Sequence, residues 1–172
     1  PMDRKNVPKL DRLCSLVENE FSDRSIMVYC FHLAAQEKIK QELELIGRKP
    51  VVLNGRDSDD NERYMIQQKF NRGDYDVIIT NIKKSLNLYG GDVCIFYSME
   101  TNPSKAFQTA SRIDRHVDDK LKTFVLLLYK GTDEYKYFTT VVKQRAKDAR
   151  DLTIDAKTTV DYFFDYMQEN AN

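Results

Sequence analysis

Five short runs of strand-forming residues recur along this chain, each followed or preceded by a segment with helical periodicity. That alternation constrains the fold more than any other feature. The runs cover 25–32 (SIMVYCFH), 49–55 (KPVVLNG), 75–80 (YDVIIT), 92–98 (DVCIFYS) and 122–130 (KTFVLLLYK). Most are continuously apolar rather than alternating, as expected of strands buried on both faces. Between them, residues 8–22 carry Leu10, Leu13, Val17 and Phe21 at helical spacing, and 33–47 is a strong helix former ending on Gly47, a residue suited to a C′ position. Residues 59–71 read as a helix with acidic residues in its first turn and Met65, Ile66 and Phe70 inward. Further helices are expected over 103–116, 132–149 and 158–167, the last with an apolar stripe of Val160, Phe163, Phe164 and Met167. Strands alternating with helices imply right-handed βαβ units and a parallel sheet sandwiched by helices. Ligands of such sheets gather at the carboxyl ends of the strands. Here those tips are His32, Asn54-Gly55-Arg56, Thr80-Asn81 and 98–102.

With 172 residues, the chain is long enough for one domain with a sizeable core, expected over 1–150, and a helical extension over 151–172. Its 27 basic and 27 acidic residues cancel, which argues against a purely electrostatic nucleic-acid binder but not against one that uses backbone N–H groups and a few placed side chains. Cys14, Cys30 and Cys94 are far apart and odd in number, and only two histidines accompany them, so a structural zinc site is not expected. Cysteines used as small hydrophobes point to a reduced, intracellular protein. No apolar run approaches the roughly 18 residues of a membrane span, and the polar start does not resemble a signal peptide. The opening Pro1-Met2 suggests a residue placed ahead of a designed start, which would make the chain a piece of a longer protein.

The segment FQTASRIDRH (107–116) raises the functional question. Asn102-Pro103 reads as a helix start, with Asn as cap and Pro in the first turn. On that helix Ala106, Ala110 and Ile113 share one face, while Gln108, Arg112 and Arg115 share nearly the opposite one. A solvated face bridged to surface carboxylates accounts for this row. So does a clamp for a charged ligand held by another domain, as an arginine finger reaches a γ-phosphate. The chain has no GxxxxGK[ST] phosphate loop, no acidic metal-holding pair at a strand end and no GxGxxG fingerprint, so alone it is not expected to hydrolyse a nucleotide.

The order of these blocks, from SIMVYCFH through VVLNGRDSDDNERYMIQQKFNRGDYDVIITN, SLNLYGGDVCIFYS and NPSKAFQTASRIDRH to KTFVLLLYKGTDE, resembles the second RecA-like domain of superfamily 2 helicases, in particular the Swi/Snf branch of DNA translocases. Ser85-Leu86-Asn87-Leu88 takes the place of that branch's Gly-Leu-Asn-Leu, and LLYKGTDE resembles its final strand-to-helix phrase. Gln108, Ser111, Arg112 and Arg115 match the last helicase block, Gln-x-x-[Gly/Asp]-Arg-x-x-Arg. The YGGD insertion is similar to compact versions common in bacteriophages, which would place the protein in the host cytoplasm.

The resemblance, covering about residues 8–140, implies a RecA-like α/β fold and roles for particular residues. Arg115 would be the principal arginine finger and Arg112 its partner, acting on ATP, with Mg2+, bound in a separate N-terminal RecA-like lobe. Gln108 would orient them or touch the nucleotide, and Asn87, with Ser85, would approach the ribose or the interdomain seam. Thr80, Asn81 and Lys83 would hold the nucleic-acid backbone, with His32 and Asn54 alongside; the implied substrate is double-stranded DNA, RNA not being distinguished by these residues. Two other classes remain open: a non-catalytic helicase-like interaction module, and a small-ligand-binding α/β domain, against which the missing glycine-rich fingerprint counts.

Overall fold

The computed structural model describes residues 8–56, 59–82, 86–98 and 123–129, together with positions 133, 136 and 140. Five parallel strands lie in the order β2-β3-β1-β4-β5: β1 (Ile26–Cys30), β2 (Pro50–Leu53), β3 (Val77–Thr80), β4 (Val93–Ser98) and β5 (Thr123–Leu126). Helix α1 (Pro8–Ser15) precedes β1, α2 (Leu33–Leu45) joins β1 to β2, and α3 (Asp60–Arg72) joins β2 to β3. The path from β1 to β2 runs across the sheet one way, and the paths from β2 to β3 and β3 to β4 run the other. Right-handed crossovers therefore put α2 on one face and α3 on the other.

The core has that division. Ile26, Val28, Cys30, Val77, Ile79, Val93 and Ile95 pack with Leu10, Leu13, Ile39 and Leu43 of α1 and α2. Met27, Tyr29, Ile78, Cys94 and Phe96 pack with Phe70 of α3 and with Leu86 and Leu88. The expected strands and the first three helices are thus present, and all three cysteines are buried and free. Asp133, Lys136 and Thr140, where a helix was expected, are helical. The helices expected over 103–116 and 158–167 lie outside the described residues.

Helix ends follow their local chemistry. Asp59 caps α3 by accepting from Glu62 N at 2.8 Å. Gly47, at φ +84°, closes α2 as expected: Gly47 N donates to Glu44 O (3.0 Å) and Arg48 N to Leu43 O (3.1 Å). This paired pattern needs a left-handed residue, which glycine adopts without a side-chain penalty.

Two expectations need correction. The single helix over 8–22 is instead α1 followed by a π-helical turn, Leu16–Glu20. Phe21 N reaches back five residues to Leu16 O (2.9 Å), which releases Val17 O from its usual partner. That carbonyl is taken by Arg48 Nη1 at 3.1 Å, and the same guanidinium donates to Phe21 O (3.0 Å), Ser22 O (3.3 Å), Arg24 O (2.6 Å) and Asp76 Oδ2 (3.0 Å). Met65, expected inward, is half exposed; the inner face of α3 carries Ile66, Gln67 and Phe70, and Met65 turns to a groove beside edge strand β2.

Arg48 is buried to 8% side-chain exposure and ties the start of β2, the approach to β3 and the end of the first helical segment together. Arg48→Ala removes a donor from four carbonyls and a carboxylate at once, of which only Phe21 O (from Arg24 N) and Asp76 (from Lys49 N) keep another among the described residues. It should lower unfolding free energy by about 3 kcal/mol in urea denaturation, with Arg48→Lys restoring only a small part because an ammonium lacks the planar fork.

Candidate nucleic-acid interface

The carboxyl edge brings four of the expected site residues to neighbouring strand tips. In the order β2, β3, β1 these are Asn54, then Thr80 and Asn81, then His32. Their side chains divide into two uses. Thr80 is fully buried, and its Oγ1 accepts from Ile82 N (3.0 Å), closing the turn after β3. Asn54 Oδ1 accepts from Arg56 N (3.1 Å), and Arg63 Nη2 donates to Gly55 O (2.9 Å), so that tip too is shaped by its own polar side chains. Both residues set the course of the backbone at their own strand tips.

Asn81 and His32 are placed differently. Tyr29 Oη donates to Asn81 O (3.5 Å), anchoring the turn to β1, while Asn81 Oδ1 is buried with no hydrogen-bond partner among the described residues. His32 is the N-cap residue of α2 but makes no side-chain capping bond, and its ring is exposed, edge-on to Phe31 at 5.2 Å between centroids.

A bulge in β4 builds the β1 tip. Tyr29 pairs with Phe96 but Cys30 pairs with Ser98, so Tyr97 is the extra residue. The shift carries Ser98 Oγ beneath Phe31 N, which donates to it at 2.9 Å. Ser98 Oγ in turn lies 3.5 Å from Cys30 Sγ, and that thiol lies 3.5 Å from His32 O. Re-aiming a side chain beside a site is a common use of a bulge. Burial, opposed by the Ser98 and His32 hydrogen bonds and by Lys9, pushes the Cys30 thiol up from its ordinary pKa, so it serves as packing and not as a nucleophile. From α2, Gln36 Nε2 donates to Cys30 O (2.9 Å) and completes the brace.

Asn87 stands apart from these tips. Its N–H donates to Gln67 Oε1 (2.7 Å) and its carbonyl accepts from Asn71 Nδ2 (2.9 Å), so α3 grips its backbone and leaves the side chain exposed. Leu86 and Leu88 on either side are buried. The same Asn71 accepts from Gly90 N (2.9 Å). The sequence reading missed these amides; the available signal was two polar residues, Gln67 and Asn71, close to the inner stripe of α3. Ser85, Lys83, Gln108, Arg112 and Arg115 lie outside the described residues.

Residues 8–117 match the family model for the helicase conserved C-terminal domain. The chain belongs to that family. Its structure is similar to the C-terminal part of the Fun30 ATPase domain, with TM-score 0.69 and 21% identity over 76% of this chain and 44% of that one. It is similar to the Hef helicase domain of Pyrococcus furiosus, with TM-score 0.62 and 23% identity over 80% of this chain and 30% of that one. It is also similar to the C-terminal domain of the DEAD-box protein Dbp5, with TM-score 0.65 and 16% identity over 79% and 77% of the two chains. No curated protein matches it. The chain spans less than half of the Fun30 and Hef chains. Together these give the RecA-like α/β fold of a helicase C-terminal domain; the parallel sheet between helices was expected from the strand and helix order, and its RecA-like form from the resemblance. Among the described residues, no helix is long and apolar enough to cross a membrane.

Within this helicase lobe, the path from β3 to β4 depends on a close approach at Gly90, where an added Cβ would sit 2.7 Å from Asn71 Cα and 2.9 Å from Asn71 O. Gly90→Ala should therefore cost about 1–3 kcal/mol of stability. Gly55→Ala, with nothing within 4 Å of its Cβ, should leave the denaturation midpoint unchanged, and equal effects at both positions would contradict the described packing.

Proposed function

We propose that this chain is the C-terminal motor lobe of a Swi/Snf-type, double-stranded DNA translocase. The observation that carries the reading is the combination of a helicase C-terminal domain match with an arginine-bearing final helicase block in a chain that has no phosphate loop of its own. The DNA branch is supported by Ser85-Leu86-Asn87-Leu88 and by LLYKGTDE. The lobe occupies 1–150, and 151–172 forms a helical extension.

In this mechanism ATP and Mg2+ are held by an N-terminal lobe, which supplies the phosphate loop and the metal-holding acids. This chain's part is to deliver Arg115 and Arg112 to the seam, with Gln108 orienting them and Asn87 and Ser85 on the nucleotide side. Phosphoryl transfer is catalysed mainly by positioning and charge stabilisation, so a guanidinium arriving on lobe closure is a sufficient contribution. Meanwhile the carboxyl edge holds the nucleic-acid backbone. Thr80 and Asn54 shape the turns, and Asn81, His32 and Lys83 supply side chains. Opening and closing of the lobes then shifts this grip against that of the partner lobe.

Lys83 is the charged member of the grip. Lys83→Ala should weaken duplex binding and reduce the slope of log affinity against log salt by about one ion; an unchanged slope removes Lys83 from the interface. The chain alone should turn over no ATP, and adding the N-terminal lobe in trans should restore nucleic-acid-stimulated turnover. Nucleic-acid binding that persists with no turnover in the two-lobe protein would favour the non-catalytic interaction module instead.

A further inference from the structure

Phe31 is an apolar ring held in the open at the place where the fold gathers its ligand-facing groups. Most large apolar side chains among the described residues are buried, yet Phe31 is 40% exposed. It directly follows Cys30, the last residue of β1, and β1 is the central strand, with β3 on one side and β4 on the other. In that parallel register Tyr29 lies opposite Thr80, so Phe31 stands beside the turn formed by Thr80, Asn81 and Ile82.

The backbone that carries the ring is held on both sides. Phe31 N is fixed to Ser98 Oγ, and the preceding carbonyl, Cys30 O, is fixed by buried Gln36. His32 meets the ring nearly perpendicularly, at an interplanar angle of 75°, and its side chain is not used to cap α2. An edge-on neighbour of this kind braces an aromatic ring and leaves a face available.

A phosphate gains nothing from such a ring, and a base stacked within a duplex cannot reach it. An unstacked base has a free π-face that fits it, whatever the sequence. Resting on the proposed nucleic-acid grip of this edge, we infer that Phe31, braced by His32, is a stacking platform for an unpaired base. It would add affinity for frayed ends, forks and single strands to the lobe's grip on duplex. The adjacent turn holds the backbone, and the ring distinguishes an open strand from a closed one.

The test is oligonucleotide binding by the 172-residue chain, using a 16-nucleotide single strand with 2-aminopurine and a blunt duplex of the same sequence. Phe31→Ala should weaken single-strand binding about tenfold, abolish the change in 2-aminopurine fluorescence and leave both duplex affinity and the salt slope unchanged. Phe31→Trp should retain binding, whereas Phe31→Leu should behave like alanine. Thermal melting of each variant controls for folding, and the Leu and Trp variants keep the test decisive should the alanine variant unfold. Single-strand affinity within twofold of the parent in Phe31→Ala, with Lys83→Ala still weakening binding, overturns the platform and leaves the grip standing. Equal loss on duplex and single strand also overturns it, as does a change in self-association without a change in oligonucleotide affinity. If the parent chain binds neither oligonucleotide at low salt, the grip itself fails and the platform with it.

Discussion

Strand β1 is buried along its whole length and hydrogen-bonded on both sides, to β3 and to β4. The rest of the fold depends on that position. A parallel strand with two partners needs crossovers leaving in both directions, and their common right-handedness sends α2 to one face and α3 to the other. The two apolar clusters follow, one on each face of the same five residues. So does the place of the candidate site, because the tip of β1 lies where connections diverge and a cleft can form.

The two edges of the sheet are finished differently. At the amino edge Asp76 accepts from Lys49 N (2.8 Å) and Arg48, while Asp92 lies 3.3 Å from Ser25 N and 3.6 Å from Arg24 Nε. Charges there are spent on the molecule's own backbone. At the carboxyl edge short polar side chains shape turns, and the histidine and phenylalanine rings remain exposed. A fold that closes one edge with partly buried ion pairs can leave the other to a ligand without losing its register.

Much of this was legible in the residues. Strand runs such as SIMVYCFH announced a parallel sheet because burial on both faces removes the usual alternation. Gly47 marked a helix end because few other residues take its backbone conformation cheaply. What escaped was long-range. Arg48 looked like any charge after a helix, and nothing local shows that its partners lie 24 to 31 residues away. The π turn it accompanies has the same apolar spacing as an α-helix and so was read as one. Met65 was misplaced because helical spacing gives the width of an apolar stripe but not which border faces the open groove at β2. At the carboxyl edge, Asn54, Thr80 and His32 lie at strand ends as expected, but the pattern of residues does not separate Thr80 and Asn54, which shape backbone, from His32, which is presented outward.

The central claim is that this lobe completes an active site it does not hold. Its direct measurement is steady-state ATP turnover of the two-lobe protein with Arg115→Ala, at saturating ATP and nucleic acid. The account predicts a fall of about 10³-fold in kcat with nucleic-acid affinity preserved, because the guanidinium acts on charge that develops only during phosphoryl transfer. Turnover equal to that of the parent protein would contradict it.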